Sequence, residues 1–353
     1  MKNKYFTVGP APLYPSCQSW TNKFYDNGLA SESHRSPKFQ SIYEELDENL
    51  RILMNIPITH SIFIASSGSE IFERIIQNCV ENSSFHFVNG AFSKKFLEYA
   101  NRLKISTQYQ KIDDGMAFSS LPSIENQVEL IAITHNETST GIKNTEQFIH
   151  SIKDANPRKI LAVDTVSSAP FVNLDYTKVD MTFFSSQKAF GLPPGLGIWV
   201  INNELADRLI ERKISKGAHN TLSDYVSNYK IFQTPSTPNV MAVYLLAKIS
   251  GEMNQVGMKY LKQEMFEKKK FLQNLFSNND WVENENLTES SSDTVFNVRL
   301  KKEKSETITF LKNHHIICSE GYGRFKETHI RFSNFPANTW EDLDYLSNVL
   351  SVM

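Results

Sequence analysis

A lysine at the end of a buried strand, directly before a turn rich in glycine and proline, is the feature that most limits what this 353-residue chain can become. Val179 to Phe184 is a largely apolar run and reads as a strand buried on both faces. It leads into Ser185-Ser186-Gln187-Lys188-Ala189-Phe190-Gly191-Leu192-Pro193-Pro194-Gly195, and a second apolar run follows from Leu196 to Ile201. Lysine is ordinarily a solvated surface residue. With apolar sequence on both flanks, Lys188 is expected to be partly desolvated. Burial lowers an amine's pKa and leaves it neutral and nucleophilic toward carbonyl carbon.

A lysine of this kind suits Schiff-base chemistry with pyridoxal 5'-phosphate (PLP), and that chemistry needs partners. The pyridine nitrogen needs a carboxylate to keep it protonated, because the charged ring is the electron sink. Ile160-Leu161-Ala162-Val163-Asp164 supplies one, a short apolar strand ending in an aspartate. An aspartate at a strand end also serves as a plain turn or helix-cap residue. Paired with Ser186-Gln187-Lys188, the cofactor role is the favoured reading. One stretch has the make-up of a phosphate site, although Ser-Gly-Ser also occurs in many ordinary loops. Ser61 to Ala65 reads as a strand, Ser66-Ser67-Gly68-Ser69-Glu70 follows, and a helix runs on to about Val80. Amides at a helix N-terminus point at an anion and the helix dipole favours it.

Asp164-Thr165-Val166-Ser167-Ser168, Ser186-Gln187-Lys188-Ala189 and Pro193-Pro194-Gly195 together resemble the class V (fold type I) PLP-dependent aminotransferases, and the resemblance extends from Val8-Gly9-Pro10 to Arg331-Phe332-Ser333-Asn334. It implies an α/β fold. A large domain, 14–245, would carry a mostly parallel seven-stranded sheet between helices. A small α/β domain, 246–353, would be joined by an N-terminal arm, 1–13. It further implies Lys188 and Asp164 as catalytic residues and Gly68, Ser69, Gln187 and Thr234 around the cofactor phosphate. Phe92 and Val166 would lie on the two faces of the ring, with Thr138 beside its phenolic oxygen. His34, Arg35 and Arg331 would bind substrate. Arginine suits such work because its fork makes two charge-assisted hydrogen bonds to an oxyanion. In the resembling enzymes the residues matching His34, Arg35 and Thr234 act across a subunit boundary, which implies a homodimer with shared active sites.

Two subfamilies compete for the substrate. Asn136-Glu137-Thr138 and Arg331-Phe332-Ser333-Asn334 resemble phosphoserine aminotransferases, which pair phosphoserine with 2-oxoglutarate in serine biosynthesis, and that is the expected activity. His34-Arg35-Ser36-Pro37 and the Pro-Pro-Gly turn lean toward the alanine–glyoxylate and serine–pyruvate aminotransferases. The chain also has Gly321-Tyr322-Gly323-Arg324 where phosphoserine aminotransferases carry Gly-His-Arg, so Arg324 or His329 would have to substitute. A PLP lyase of the cysteine desulfurase kind would need a mobile late cysteine, and Cys318 lies in the right third of the chain without a matching motif.

The remaining composition narrows the class. A net charge of −2 argues against nucleic acid or an anionic membrane as partner. Three scattered cysteines show no metal spacing, and no metal is expected. With no apolar run of membrane-span length and no signal-peptide pattern, a cytoplasmic enzyme acting on small amino and 2-oxo acids is expected. The helical pattern entered near Asn239 is expected to pause after Lys248 and resume from Met253 to Phe276. The charge-rich stretch Glu264 to Lys270 is expected to be a solvated helix face.

Overall fold

The computed structural model describes residues 2–283 and 288–353. Its strands in chain order are β1 (Lys4–Phe6), β2 (His60–Ala65), β3 (Ser83–Val88), β4 (Ser106–Lys111), β5 (Leu130–Thr134), β6 (Asn136–Glu137), β7 (Ile142–Lys143), β8 (Ile160–Asp164), β9 (Met181–Ser185), β10 (Gly197–Asn202), β11 (Val295–Arg299), β12 (Ile316–Glu320) and β13 (His329–Ser333). Seven form one sheet in the order β2-β10-β9-β8-β5-β3-β4. β10 alone runs against both of its neighbours, so the other six point the same way.

Helices cover both faces of that sheet: α1 (Cys17–Asp26), α2 (Pro37–Met54), α3 (Gly68–Cys79), α4 (Ala91–Arg102), α5 (Glu146–Ala155), α6 (Asn203–Glu211), α7 (Leu222–Tyr229) and α8 (Val240–Val256). Strand alternation divides the core between them. Phe63, Phe183 and Trp199 pack with the apolar residues of α3, α4, α6 and α7. Their sequence neighbours Ile62, Phe184 and Ile198 pack with those of α2 and α8. Phe85, Phe87, Ile131 and Leu161 pack against α5. Because both faces are covered, the central strands read as unbroken apolar runs.

The smaller sheet has the order β1-β12-β13-β11 and is flanked by α9 (Met258–Ser277), α10 (Lys304–Asn313) and α11 (Trp340–Leu350). Ile330 and Phe332 of β13 face its own core, with Phe6, Leu272, Phe276 and Leu343. The first strand of the chain is thus an edge of the last sheet, paired in parallel with β12.

The structure departs from the sequence reading in three places. The helix entered at Asn239 runs unbroken through Gly251 to Val256, and the break falls at Gly257, whose φ of 89° ends the helix. The Glu264–Lys270 stretch is not wholly solvated. Lys268 is 2 % exposed against Glu264 at 2.7 Å, and Lys269 reaches Asp293 at 2.5 Å. β4 carries no recognisable apolar run; it is a half-exposed edge strand whose pairing comes from the sheet rather than from its own pattern.

Phe183 sits edge-on to Phe72 at 5.4 Å and to Phe96 at 5.9 Å, fully buried on the strand that delivers Lys188. Phe183→Ala should lower stability by about 3–5 kcal/mol, read as a drop in the urea midpoint. A loss under about 1 kcal/mol would mean that this layer is not close-packed.

Candidate active site

Six parallel strands send their carboxyl ends to one edge of the large sheet, where an open α/β sheet places its ligand. β2 leads to Ser66–Ser69, β3 to Phe92, β5 to Thr138, β8 ends in Asp164, and β9 leads to Lys188. Five segments distant in sequence therefore meet because of strand direction alone.

Lys188 is 7 % exposed. Its Nζ donates to the carbonyl of Val8 at 2.7 Å and to Thr138 Oγ1 at 3.5 Å, and lies 5.9 Å from the centre of the Phe92 ring. The N-terminal arm is pinned across it. Ala11 N–H donates to the Gln187 carbonyl at 2.8 Å, and Val8 N–H donates to Ser319 Oγ at 3.0 Å. A Cβ on Gly9 would stand 2.9 Å from Nζ, so a side chain there would push the amine aside. Burial pushes the amine down from 10.5 to about 7. The nearby Arg331 guanidinium adds to the shift, and Asp164 and Glu137 oppose it.

Asp164 is 3 % exposed and its Oδ1 accepts the Val166 N–H at 2.9 Å. Burial pushes the carboxyl up from 3.8 to about 7. The charge of Glu137 adds to this, while the Val166 amide and Lys188 work against it. A buried carboxylate so poorly compensated is a receptor for a cation; a protonated ring nitrogen seated on it would hold it ionised.

The cradle at the start of α3 is narrow. Ser67 caps the helix by accepting the Glu70 N–H at 3.1 Å, and Gly68 N–H donates to Ser185 Oγ at 2.9 Å. A Cβ on Gly68 would come within 2.9 Å of both Ser185 Oγ and Val166 Cγ2, so the backbone itself forms the wall. Phe92 is set by a residue the sequence reading passed over. The buried Glu137 carboxylate accepts the first amides of α4, Phe92 N–H at 3.2 Å and Ser93 N–H at 2.9 Å. The Asn-Glu-Thr motif was visible, but only its threonine was given a role. Phe92 also stacks on Tyr322, with centroids 5.5 Å apart and planes 12° from parallel.

Arg331 comes in from β13. Its Nη1 donates to the Thr138 carbonyl at 3.0 Å, its Nε donates to the Glu320 carbonyl at 2.9 Å, and its guanidinium lies 5.6 Å from the Tyr322 ring centre. Burial pushes it down to about 10, partly offset by Tyr322 and Glu137, and it stays charged at neutral pH.

The other expected residues form a separate group. Arg35 Nη1 donates to Gln233 Oε1 at 3.1 Å, and the adjoining Thr234 is buried, donating to the Ser236 carbonyl at 2.8 Å. His34 packs edge-on to Phe39 with its Nε2 buried and unpartnered, and burial and then Arg35 lower its pKa. No hydrogen bond among the described residues ties this group to Lys188. Arg324 is turned away, half-exposed and bonded to Asp114 through both its Nη2 and, at 3.7 Å, its Nε. His329 is buried beside Thr328 and the Phe325 ring. Cys318 lies within β12 and burial pushes its thiol up to about 12, which does not suit a mobile nucleophile.

A family profile described as Aminotransferase class-V matches residues 7–346. In sequence, a phosphoserine aminotransferase of Lactococcus lactis subsp. cremoris is 27 % identical over 80 % of this chain and 79 % of its own length. One from Rhodococcus opacus is 22 % identical over 97 % and 92 %. Among solved structures, a phosphoserine aminotransferase SerC from Cytophaga hutchinsonii superposes with a TM-score of 0.95 and 34 % identity, covering 99 % of this chain and 98 % of that one. An alanine–glyoxylate aminotransferase from Nostoc gives 0.85 at 20 % identity over 100 % and 95 %, which speaks to the fold alone. The chain belongs to the class V aminotransferases. It is a PLP-dependent transaminase of the fold type I architecture, acting on an amino acid and a 2-oxo acid. The site fits the cofactor: a neutral buried amine, a carboxylate lacking a cation, an aromatic wall and a helix N-terminus lined by glycine stand together. Among the described residues no helix is long and apolar enough to cross a membrane.

In cofactor-stripped protein, labelling of Lys188 by a small amine-directed acylating reagent should rise with pH and level off above about 7, the point at which the amine becomes neutral. Peptide mapping resolves it from the surface lysines. A midpoint near their value of 10.5 would show that the amine is not desolvated.

Proposed function

We propose that this enzyme transfers the amino group between phosphoserine and 2-oxoglutarate in serine biosynthesis, in the cytoplasm, as a homodimer with shared active sites. The observation that carries the substrate assignment is likeness along essentially the whole chain to the Cytophaga phosphoserine aminotransferase. Arg331 anchored on the Thr138 and Glu320 carbonyls supports it as the group that binds the substrate α-carboxylate. The dimer is supported by Arg35, Gln233 and Thr234 lying together, apart from Lys188, where a second copy could use them as one unit. Separate apolar cores under the two sheets support two domains, which we divide as 14–245 and 246–353 with arm 1–13 reaching from one to the other, although Ile249, Met253 and Leu261 pack in the core of the first.

When bound, PLP supplies an aldehyde that accepts amino groups and a ring that withdraws electrons from the substrate Cα–H bond. The chain's residues do the rest. Lys188, with its amine lowered to about 7, would bond the cofactor and, when free, would take up the proton from the substrate Cα. Asp164 would hold the ring nitrogen protonated. Phe92 and Val166 would keep the ring flat and dry, and the Thr138 hydroxyl would meet its phenolic oxygen. Gly68, Ser69, Gln187 and, from the partner copy, Thr234 would surround the phosphate. His34 and Arg35 would receive the distal phosphate of the donor.

One observation favours a second reading. With Tyr322 in the place of the missing histidine, and Arg324 held by Asp114, the distal pocket has fewer cations than a phosphate dianion calls for. Alanine–glyoxylate or serine–pyruvate transamination would suit such a pocket. Substitutions separate the two. Arg331→Ala should weaken all amino donors alike. Arg35→Ala should lower kcat/KM for phosphoserine about ten- to a hundredfold more than for serine or alanine, the worth of one charged contact. Equal effects on all donors, with alanine and glyoxylate the better wild-type pair, would replace the phosphoserine assignment by the second reading.

A further inference from the structure

Lys95 belongs to no motif in the sequence, and the structure places it beside Ser69 at the cofactor cradle. Lys95 opens the second turn of α4, three residues beyond Phe92, and its Nζ donates to Ser69 Oγ at 2.9 Å. Its neighbour Lys94 instead pairs with Glu98 on the exposed side of the helix. No carboxylate lies within ion-pairing distance of Lys95 among the described residues, and its Nζ lies 5.9 Å from the centre of the Tyr99 ring.

The amides of α3 show what the cation faces. Gly68 N–H is taken by Ser185 Oγ, Glu70 N–H by Ser67 Oγ and Ile71 N–H by the Ser67 carbonyl. The Ser69 N–H has no protein acceptor among the described residues. An unpartnered amide at a helix N-terminus and an unpaired ammonium thus converge on one residue. The local balance of charge needs the ammonium. Glu70 is folded back so that its Oε2 accepts the Ser66 N–H at 2.7 Å and the Ser66 hydroxyl, which removes one amide from the cradle, while its Oε1 pairs with Arg74 at 3.5 Å. The helix N-terminus alone offers only about half a positive charge against a phosphate dianion.

We infer that Lys95, together with the Ser69 amide and hydroxyl, is a phosphate-binding residue of this active site, supplying from α4 the full positive charge that the α3 cradle lacks. This rests on the PLP assignment and deepens it. A strongly hydrated ammonium on a flexible stem suits a dianion approached from one side, where an arginine fork is not needed.

The test uses protein freed of cofactor and measures equilibrium binding of PLP and of pyridoxal, which has the same aldehyde and ring but no phosphate, by absorbance. Lys95→Met keeps a flexible apolar side chain of similar length and removes the charge. It should weaken PLP about ten- to a hundredfold, the worth of a charge-assisted contact, and leave pyridoxal unchanged. Added inorganic phosphate should compete with PLP less well on the variant than on wild type. Lys95→Arg should recover most of the PLP affinity, and Lys94→Met should behave as wild type. Equal losses for PLP and pyridoxal would show a merely structural role, and no loss for either would show that Lys95 does not meet the phosphate; both outcomes overturn the inference and leave the cofactor assignment standing. If wild type binds pyridoxal as tightly as PLP, there is no phosphate site at this helix, and the cofactor assignment fails with the inference.

Discussion

Taking an amine out of water is the costly act on which the rest of this molecule depends. A buried ammonium without compensation is not stable, and the protein responds by making the neutral form of Lys188 accessible near pH 7. Everything around it serves that end. The Val8 carbonyl accepts the amine's hydrogen bond whether or not the group is charged, Phe92 and the arm exclude solvent, and Arg331 discourages protonation from across the site. Asp164 and Glu137 act in the opposite sense, so the amine is poised rather than driven to one extreme.

The loop after β5 has more to do than its short length suggests. Thr138 gives its hydroxyl to the neighbourhood of Lys188 and its carbonyl to Arg331. Glu137, one residue earlier, is buried and binds the Phe92 and Ser93 amides of α4, which fixes Phe92 and the helix that carries Lys95 one turn on. The small sheet, the cofactor wall and the reactive amine are therefore registered on two adjacent residues. A charged side chain is tolerated there because the hydroxyls and amides of Ser93 and Ser139 satisfy it.

The large sheet was legible because its strands are buried on both faces and read as plain apolar runs ending in polar residues with chemistry to perform. β5 and β8 match their apolar runs end to end. Elements held by their surroundings were not legible. β4 reads Ser-Thr-Gln-Tyr-Gln-Lys and becomes a strand only because β3 offers it an edge. In the site, Lys188, Asp164 and Gly68 were legible because a strand end beside a polar turn is a local pattern. Glu137, Lys95 and Tyr322 were not, since each acts on a residue from another strand's loop. The buried Lys268 and Lys269 went unread for the same reason. Their partners are Glu264, which lies one turn away but looked like a surface neighbour, and Asp293, which also meets Lys143 of β7.

The pairing of β1 with β12 has a consequence for how the protein is made. β1 is an edge strand with one neighbour, so nothing holds it until the chain has been synthesised past Glu320. The arm that follows β1 brings Val8 to the amine and is pinned by Ser319, also a β12 residue. On the ribosome the large sheet with Lys188 emerges long before β12 does. During that interval only contacts such as Ala11 with Gln187 can hold the arm over the amine, and completing the last sheet adds the Ser319 bond and the β1 pairing.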